Sequence, residues 1–454
     1  MKTIFITVAE ATPACNILRG TFLRTFAPDK KIKIVLVTTR EKLDAYAKEF
    51  SGEFIVVEAI SQIEATISDR ILAFISRNAL RTGTTQFNQM RQYHDGGSFL
   101  ALLIKRTISI VFGRSHTLQS IIRKIELKRK ASWEVSALYE KYQPTGVFST
   151  VSINAEVDVP VLREAKRRQI LTVGMLRGWD NFTTHGFLRV VPDRMMVQNQ
   201  YLKEMGMKYQ FLDSVILEVV GFPQNDWYFR KEWIQPREQF LKNWGLDPKK
   251  RVILFGAMGD FLFPREGEIA EVFEGLVNAG QLPGDVVMVF RAHPAFASPL
   301  ERMKTMKYVV PDRNAVYASS LVSSWEMGEG EMAYLLNSII HSDMVVTAGS
   351  TMALDGIALG KPVIMTAFEK TPTPYWVSAK RFLHHYTHYE ALLKTGGMRL
   401  AQNPEEFATA ITQYMHDPKL DLAGREMAKD LFLAPFDGYS GVRIAHMLQE
   451  HFEL

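Results

Sequence analysis

The pattern that most constrains this chain is stated twice along it. Short β-branched apolar segments alternate with loops and helix-like stretches, first up to about residue 220 and again beyond it. In the first half the pattern predicts strands over 4–8, 32–38, 54–58, 146–149, 170–175, 194–198 and 216–220. Helices are predicted between them over 14–26, 41–50, 132–142, 159–168 and 200–206, and 60–142 reads as mostly helical, broken at Thr82-Gly83-Thr84 and Asp95-Gly96-Gly97. Gly221-Phe222-Pro223 interrupts the pattern and marks a domain joint. The second half restarts with strands over 251–255, 286–291, 306–310, 344–347 and 362–365. Its helices fall over 236–244, 266–279, 330–341, 351–359, 404–415 and 441–450. Strand–helix alternation of this kind builds βαβ units and parallel sheets, so an α/β fold is expected.

A chain of 454 residues exceeds what one hydrophobic core usually serves, so two domains are expected. A hydrophobic share of 47% and a charged share of 23% exclude dominant disorder. The single cysteine, Cys15, allows neither an intrachain disulfide nor a thiolate cluster, which fits a reducing compartment and a cytoplasmic location. The apolar run at the N-terminus is cut short at Glu10 and reads as a first strand, not a signal peptide. The longest apolar stretch, 99–112, is interrupted by Lys105-Arg106 and is too short to span a bilayer. Between 71 and 130, eleven basic residues face two acidic ones, a local net charge of +9. Such a window suits anionic lipid, nucleic acid or a phosphorylated acceptor, and a solvated helical face would read the same way.

Ligands of parallel α/β sheets bind at the C-terminal ends of strands, and that rule selects four loops. The first is Thr347-Ala348-Gly349-Ser350-Thr351, followed by Asp355 and Gly360-Lys361-Pro362. Small residues there let backbone approach a ligand, Ser350 or Thr351 can cap the next helix, and bare amide hydrogens would meet a phosphate. Asp355 lies four residues after Thr351, on the same helix face, where a carboxylate would accept ribose hydroxyls. An ordinary cap with a surface aspartate is the plain alternative. In Arg291-Ala292-His293-Pro294, Arg291 could neutralise phosphate and His293 could bond a leaving group or carry charge. The third loop, Gly256-Ala257-Met258-Gly259-Asp260, offers a second glycine-rich backbone surface. It is neither GxGxxG nor a Walker loop, which argues against an ordinary dehydrogenase, kinase or ATPase.

The fourth group lies in the first half. Glu10 and Thr12 follow the first strand, and Arg177, Trp179, Asp180, Asn181 and His185 follow a later one. Glu10, Asp180 and His185 have the chemistry of a general base, and Thr12, Arg177, Trp179 and Asn181 would line an acceptor pocket. His384, His385 and His388 lack an acidic or cysteine partner at metal-ligand spacing, so no metal site is expected.

These residues carry a resemblance to the bacterial GT-B superfamily, which holds surface-carbohydrate glycosyltransferases, UDP-N-acetylglucosamine 2-epimerases and teichoic acid glycerophosphotransferases. The stretch from Ser338-Ile339-Ile340-His341 through Thr347–Thr351 and Asp355 to Gly360-Lys361-Pro362 resembles their nucleotide-diphosphate and ribose site. Many epimerases have glutamate where this chain has Asp355. Val191-Pro192-Asp193-Arg194 through Gly221-Phe222-Pro223 and Asp226 resembles their interdomain crossing. Arg177-Gly178-Trp179-Asp180-Asn181 is similar to a Trp-Asp-Asn loop of some transferases, and Arg291-Ala292-His293-Pro294 to a Lys/Arg-x-His-Pro turn. The likeness covers about 170–370, and 60–145 matches nothing in the family.

The resemblance implies two Rossmann-like domains with parallel sheets facing across a cleft. Residues 1–220 would take the acceptor, with a basic helical insertion around 60–145. Residues 221–430 would bind the nucleotide, and 431–454 would return to the first domain. The implied activity is metal-independent transfer of a sugar from a nucleotide-sugar donor, UDP-linked first and CDP- or CMP-linked next. The acceptor would be a hydroxyl of a glycan or lipid-linked molecule in surface polysaccharide synthesis. Gly256, Arg291, His293, Gly349, Ser350, Thr351 and Asp355 would hold the donor, which is a substrate and not a resident cofactor. The basic window would touch an anionic membrane face peripherally, and no nucleic acid is expected. A 2-epimerase and a CDP-linked glycerophosphotransferase are the rival enzymes. A non-enzymatic protein binding nucleic acid or anionic lipid through the basic window is the rival of another class.

Overall fold

The computed structural model describes residues 1–26, 32–61, 66–293, 296–312 and 327–454. They form two compact units, Met1–Asp226 with Ala434–Leu454, and Trp227–Leu433. In unit 1 seven strands make one parallel sheet: β1 Lys2–Thr7, β2 Ile32–Thr39, β3 Ile55–Ile60, β4 Gly146–Ser149, β5 Leu171–Met175, β6 Arg194–Val197 and β7 Leu217–Val219. Their order is β3-β2-β1-β4-β5-β6-β7, so the order in which strands are added reverses between the parallel pair β1 and β4. Successive side chains of a strand point to opposite faces. Ile4 and Ile6 accordingly enter one core layer with Phe22, Phe26 and Leu448, while Phe5 enters the other with Tyr139 and Leu162.

The final helix, Ser440–His451, belongs to unit 1 and packs on the Thr21–Phe26 helix. Asp226 holds its start by accepting the amides of Ser440 (3.0 Å) and Gly441 (2.8 Å). Lys2 holds its end by donating to the carbonyls of Phe452 (2.9 Å) and Glu453 (2.7 Å). An anion at the N-terminus and a cation at the C-terminus both suit the helix dipole. Phe452 then fills the space above Gly146, where a Cβ would lie 2.5 Å from its ring.

The helix expected over 14–26 is interrupted. Ala14–Leu18 forms a wide turn in which Arg19 N–H reaches the Ala14 carbonyl, and a new helix starts at Thr21. Gly20 marks the break, because a Cβ there would sit 2.6 Å from the Asn16 carbonyl oxygen. Residues 67–142 form five helices, Ile67–Ala79, Gly83–His94, Phe99–Phe112, His116–Lys128 and Trp133–Tyr142. Several cations of the basic window are consumed inside this region. Arg123 donates to the carbonyls of Leu188 and Gln210, and burial lowers its pKa to about 10. Arg129 pairs with Asp69, and Arg106 donates to the Gln86 carbonyl. Buried Glu126 pairs with Arg163 (2.6 Å) and Arg189 (3.3 Å), joining the 116–128 helix to elements far along the chain.

Unit 2 repeats the architecture with six parallel strands: β8 Arg251–Gly256, β9 Val286–Arg291, β10 Val309–Pro311, β11 Met344–Thr347, β12 Val363–Thr366 and β13 Arg399–Ala401. Their order is β10-β9-β8-β11-β12-β13, and the reversal lies between β8 and β11. Lys361 donates to the Ile340 carbonyl (2.7 Å) and so closes the helix before β11.

Phe452→Ala is expected to cost about 3–5 kcal/mol through the cavity it leaves in unit 1. Chemical denaturation would measure this, with Glu453→Ala as a near-neutral surface control.

Candidate functional site

The reversal point of unit 2 gathers three of the loops chosen from sequence. Thr347 is paired in register with Gly256, and Gly256 with Arg291, so the three lie in one row across β11, β8 and β9. Adjacent strands are ~4.8 Å apart, which places the outer two within ~10 Å along the sheet edge. Thr347 organises the row through its hydroxyl, which donates to the Gly256 carbonyl (3.0 Å) and accepts the amides of Gly349 (3.2 Å) and Ser350 (2.8 Å).

The turn expected to present bare amides therefore has those of Gly349 and Ser350 engaged by Thr347. The Met352 amide is taken by Ser350 Oγ (3.3 Å), so Ser350 makes the cap contact and Thr351 makes no side-chain cap bond. Gly349 is buried, Ser350 half-buried and Thr351 exposed, so the turn opens to solvent at its distal end. The two glycines selected here have internal reasons to be small. A Cβ on Gly256 would meet Met352 Sδ at 2.6 Å, and one on Gly349 would meet the Phe382 ring at 2.9 Å. The space expected for a ligand at these two Cα atoms is filled by the unit's own side chains.

Asp355 does not lie on the surface beside Thr351. It is buried, and its Oδ1 accepts the Tyr228 hydroxyl at 2.8 Å. Burial raises its pKa to about 6, with the Tyr228 bond and the nearby Arg291 charge opposing that rise. Arg291 pairs with buried Asp312 (2.8 Å) and lies over the Tyr334 ring, 5.6 Å from its centroid. Trp244 and Tyr334 donate to the other oxygen of Asp312. His293 stacks on Phe296 (4.7 Å, 27°), and burial lowers its pKa to about 4. It is thus neutral at neutral pH, contrary to the charged role expected from its ordinary value. Phe296 stacks in turn on exposed Phe261, extending the aromatic column (5.5 Å). Pro294 lies outside the described residues.

The loop after β8 is held by a residue the sequence reading passed over. Glu266 is buried and accepts the amides of Met258 (2.7 Å) and Gly259 (2.9 Å) through Oε2 and the Ser298 hydroxyl (2.7 Å) through Oε1. A carboxylate of the chain itself thus occupies this amide cradle. Burial raises its pKa to about 7, against the pull of these three bonds.

In unit 1 the row at the reversal point is Thr7, Ser149 and Gly174. Thr7 donates to Asp158, Thr150 donates its hydroxyl to the Thr7 carbonyl (2.6 Å), and Ser149 donates to Asp158 (2.8 Å). Asp158 is buried, which raises its pKa to about 6. Glu10, after β1, forms an ion pair with Arg177, after β5, and both are about a third exposed. Thr12 is half-buried in the short turn that follows Glu10. Asn181 is buried and accepts the amides of Arg177 and Gly178 (both 3.0 Å), so it shapes the loop from within. Trp179 is buried as well. Asp180 and His185 remain partly exposed, with Oδ2 and Nε2 3.9 Å apart, and burial by the surrounding protein lowers the His185 pKa. Among the described residues no group of three His, Cys, Asp or Glu is arranged to hold a metal. His388 is buried while His384 is exposed, which separates that cluster.

Glu266 supplies a pH test. Its folded pKa lies above the ordinary 4.5, so the folded protein holds that proton more tightly than the unfolded chain. The resulting stability is complete below about pH 4.5 and is lost as pH rises through about 7. Thermal unfolding between pH 5 and 8 should show this loss, and Glu266→Gln should flatten it. Glu266→Ala, which strands two amides, should instead destabilise at every pH by about 2–4 kcal/mol.

No family model matches the chain, and no curated protein matches it in sequence. Solved structures do. The UDP-GlcNAc 2-epimerase from Neisseria meningitidis bound to UDP-GlcNAc aligns over 99% of this chain and 100% of its own, with 13% identity and a TM-score of 0.55. A glycosyltransferase from Rickettsia africae aligns over 100% and 99%, with 12% identity and a TM-score of 0.51. The wall teichoic acid polymerase TagF, soaked with CDPG, aligns over 100% and 89%, with 11% identity and a TM-score of 0.51. With both parallel sheets in hand, these likenesses establish that the chain has the GT-B fold.

Proposed function

We propose that this protein is a glycosyltransferase that moves a sugar from a nucleotide-sugar donor to a hydroxyl of a glycan or lipid-linked acceptor. One observation carries the donor half of the reading: Arg291, Gly256 and Thr347 share a row at the unit 2 reversal point, and Ser350 and Thr351 form the solvent-facing end of its turn. Arg291 would meet the diphosphate, since a guanidinium makes strong charge-assisted bonds to phosphate oxygens. The hydroxyls of Ser350 and Thr351 would add neutral donors, and neutral His293 would serve as a hydrogen-bonding group. Asp355, held by Tyr228, would accept a ribose hydroxyl on its second oxygen. Structures of this fold carry UDP-GlcNAc in the meningococcal epimerase and CDPG in TagF, which supports a nucleotide-linked donor and favours a pyrimidine base.

For the acceptor half, Asp180 with His185 is the favoured base. Glu10 is ion-paired with Arg177, whereas Asp180 accepts the neutral Asn181 side-chain amide (3.1 Å) on Oδ1 and has His185 Nε2 3.9 Å from Oδ2. The base would take the acceptor proton as the sugar leaves its phosphate, and basic side chains would stabilise the departing diphosphate.

A thermal-shift panel of UDP, GDP, CDP, CMP and ADP tests the donor class, because a ligand that binds only the folded state raises its melting temperature. UDP or CDP should give the largest shift. Calorimetry should then find nucleotide affinity reduced about tenfold or more in Arg291→Gln. The pair Arg291→Gln/Asp312→Asn removes the uncompensated buried carboxylate and should stay equally weak. Unchanged affinity in both variants would remove the donor site from this row. Asp180→Asn should lower turnover while leaving nucleotide affinity intact. Incubation of UDP-GlcNAc with the protein alone separates the rival epimerase, which would form product without an acceptor.

A further inference from the structure

The helical region of unit 1 exposes an apolar stripe that a solvated face would not carry. On the Phe99–Phe112 helix the exposed apolar residues are Phe99, Leu100, Leu103, Ile104, Ile110 and Val111. At 100° per residue they fall within an arc of about 140°, and buried Leu102 and Ser109 lie on the opposite side. Phe99, Leu100 and Ile110 are 66%, 64% and 61% exposed. The Ile67–Ala79 helix packs against this one and exposes Ile67, Ile71 and Phe74 on one face, spaced four and three residues apart. The His116–Lys128 helix also packs against it and exposes Ile121 and Ile125, one turn apart.

Charge accompanies the stripe with one sign. Arg77, Arg81, Arg114, Lys124, Lys128 and Lys130 are exposed in the same region. The acids between 66 and 130 are withdrawn from the surface or spent: Glu126 is buried among arginines, Asp69 pairs with Arg129, and Asp95 pairs with Arg91. The cations that remain outward are those not used inside the region, unlike Arg123 and Arg129. Among the described residues no helix is long and apolar enough to cross a membrane. A helix of this kind lies in the plane of a bilayer, its apolar arc among the acyl chains and its basic neighbours at the headgroups. Aliphatic side chains gain nothing from a nucleic-acid backbone, which leaves phosphate-bearing lipid as the surface that satisfies both features.

We propose that the Phe99–Phe112 helix, with the exposed faces of its two neighbours, docks this protein onto an anionic lipid bilayer. The inference rests on this surface alone and stands apart from the donor-site reading.

The test is flotation of the full chain with vesicles of phosphatidylcholine alone and vesicles containing about one-third phosphatidylglycerol. The protein should float with the anionic vesicles, and added salt should weaken that binding. Leu103→Glu/Ile110→Glu should lower partition at least about tenfold. Lys124→Glu/Lys128→Glu should abolish the preference for anionic lipid. All four positions are exposed, so unchanged melting temperatures and far-UV circular dichroism would show that the variants fold. Absence of binding to anionic vesicles, or binding insensitive to both variants, would overturn the proposal. Sedimentation of the lipid-free protein completes it: self-association abolished by Leu103→Glu/Ile110→Glu, without flotation, would assign the face to a second copy of this chain instead.

Discussion

A threonine hydroxyl at each sheet reversal fixes where everything else in its unit can stand. Two central strands of a doubly wound sheet feed helices to opposite faces, so their ends diverge and leave backbone groups without a ladder partner. In unit 2 Thr347 bridges that gap by bonding the Gly256 carbonyl and two amides of its own turn. In unit 1 Thr7 and Thr150 bond each other across β1 and β4, and Thr7 and Ser149 both donate to Asp158. A hydroxyl can donate and accept at once, which a split strand pair requires and which an aliphatic side chain of equal size cannot supply. Ser350 and Glu10 lie just beyond Thr347 and Thr7, so these ties fix where their turns begin, while Arg291 is placed by its ladder pairing with Gly256.

Behind the reversal points three buried carboxylates are held by neutral hydrogen bonds, while a fourth, Asp312, is paired with Arg291. Asp158, Glu266 and Asp355 each have a pKa raised by burial, and their partners are hydroxyls and backbone amides. The helical region does the reverse, surrounding Glu126 and Asp69 with Arg129, Arg163 and Arg189. The two strategies carry opposite pH signatures. Carboxylates with a raised pKa favour the folded state more as pH falls, whereas Asp69, held low by Arg129 and Thr66 despite its burial, withdraws stability once acid protonates it. Asp69 and the carboxylates at the strand ends thus contribute to stability with opposite dependence on pH.

The fold was legible because β-branched runs and helix periodicity are local signals, and nearly every strand appears within a residue or two of its expected place. The expected helix over 14–26 breaks at Gly20, where a Cβ would clash with the Asn16 carbonyl, a local packing detail that periodicity does not register. The Leu422–Phe432 helix escaped notice although an aspartate stands before it; Asp421 has a left-handed backbone (φ 62°) and gives its carboxylate to Arg399 and Tyr414 instead of capping. At the strand ends, the rule that ligands meet the C-terminal edge selected loops that do follow the central strands, but it did not give the bonds each residue makes there. Glycine was taken as room for a ligand, and at Gly256 and Gly349 that room belongs to Met352 and Phe382. Tyr228 was missed since its partner Asp355 is distant in sequence, and Glu266, Asp158 and Asp312 since each folds back on a preceding strand-end loop or residue that no local pattern links to it.

The internal use of amides changes how an anion would have to be recognised in unit 2. A cradle of backbone hydrogens is the usual device at such a turn, yet here Thr347 takes two of them, Ser350 Oγ a third, and Glu266 the pair after β8. What the edge retains is side chains: one guanidinium at Arg291, hydroxyls at Ser350 and Thr351, and the aromatic column of His293, Phe296 and Phe261. Arg291 is already neutralised by Asp312, and Tyr334 and Trp244 brace that carboxylate on its other oxygen. A diphosphate would therefore share a cation that the protein has pre-positioned, without meeting an isolated positive charge. Such sharing lowers the attraction for any anion and puts the weight of recognition on shape, on hydroxyl geometry and on stacking against the aromatic column. Those are the contacts that tell one nucleotide from another, so in the proposed donor site discrimination would rest on side chains and not on the five amides already bonded within the unit.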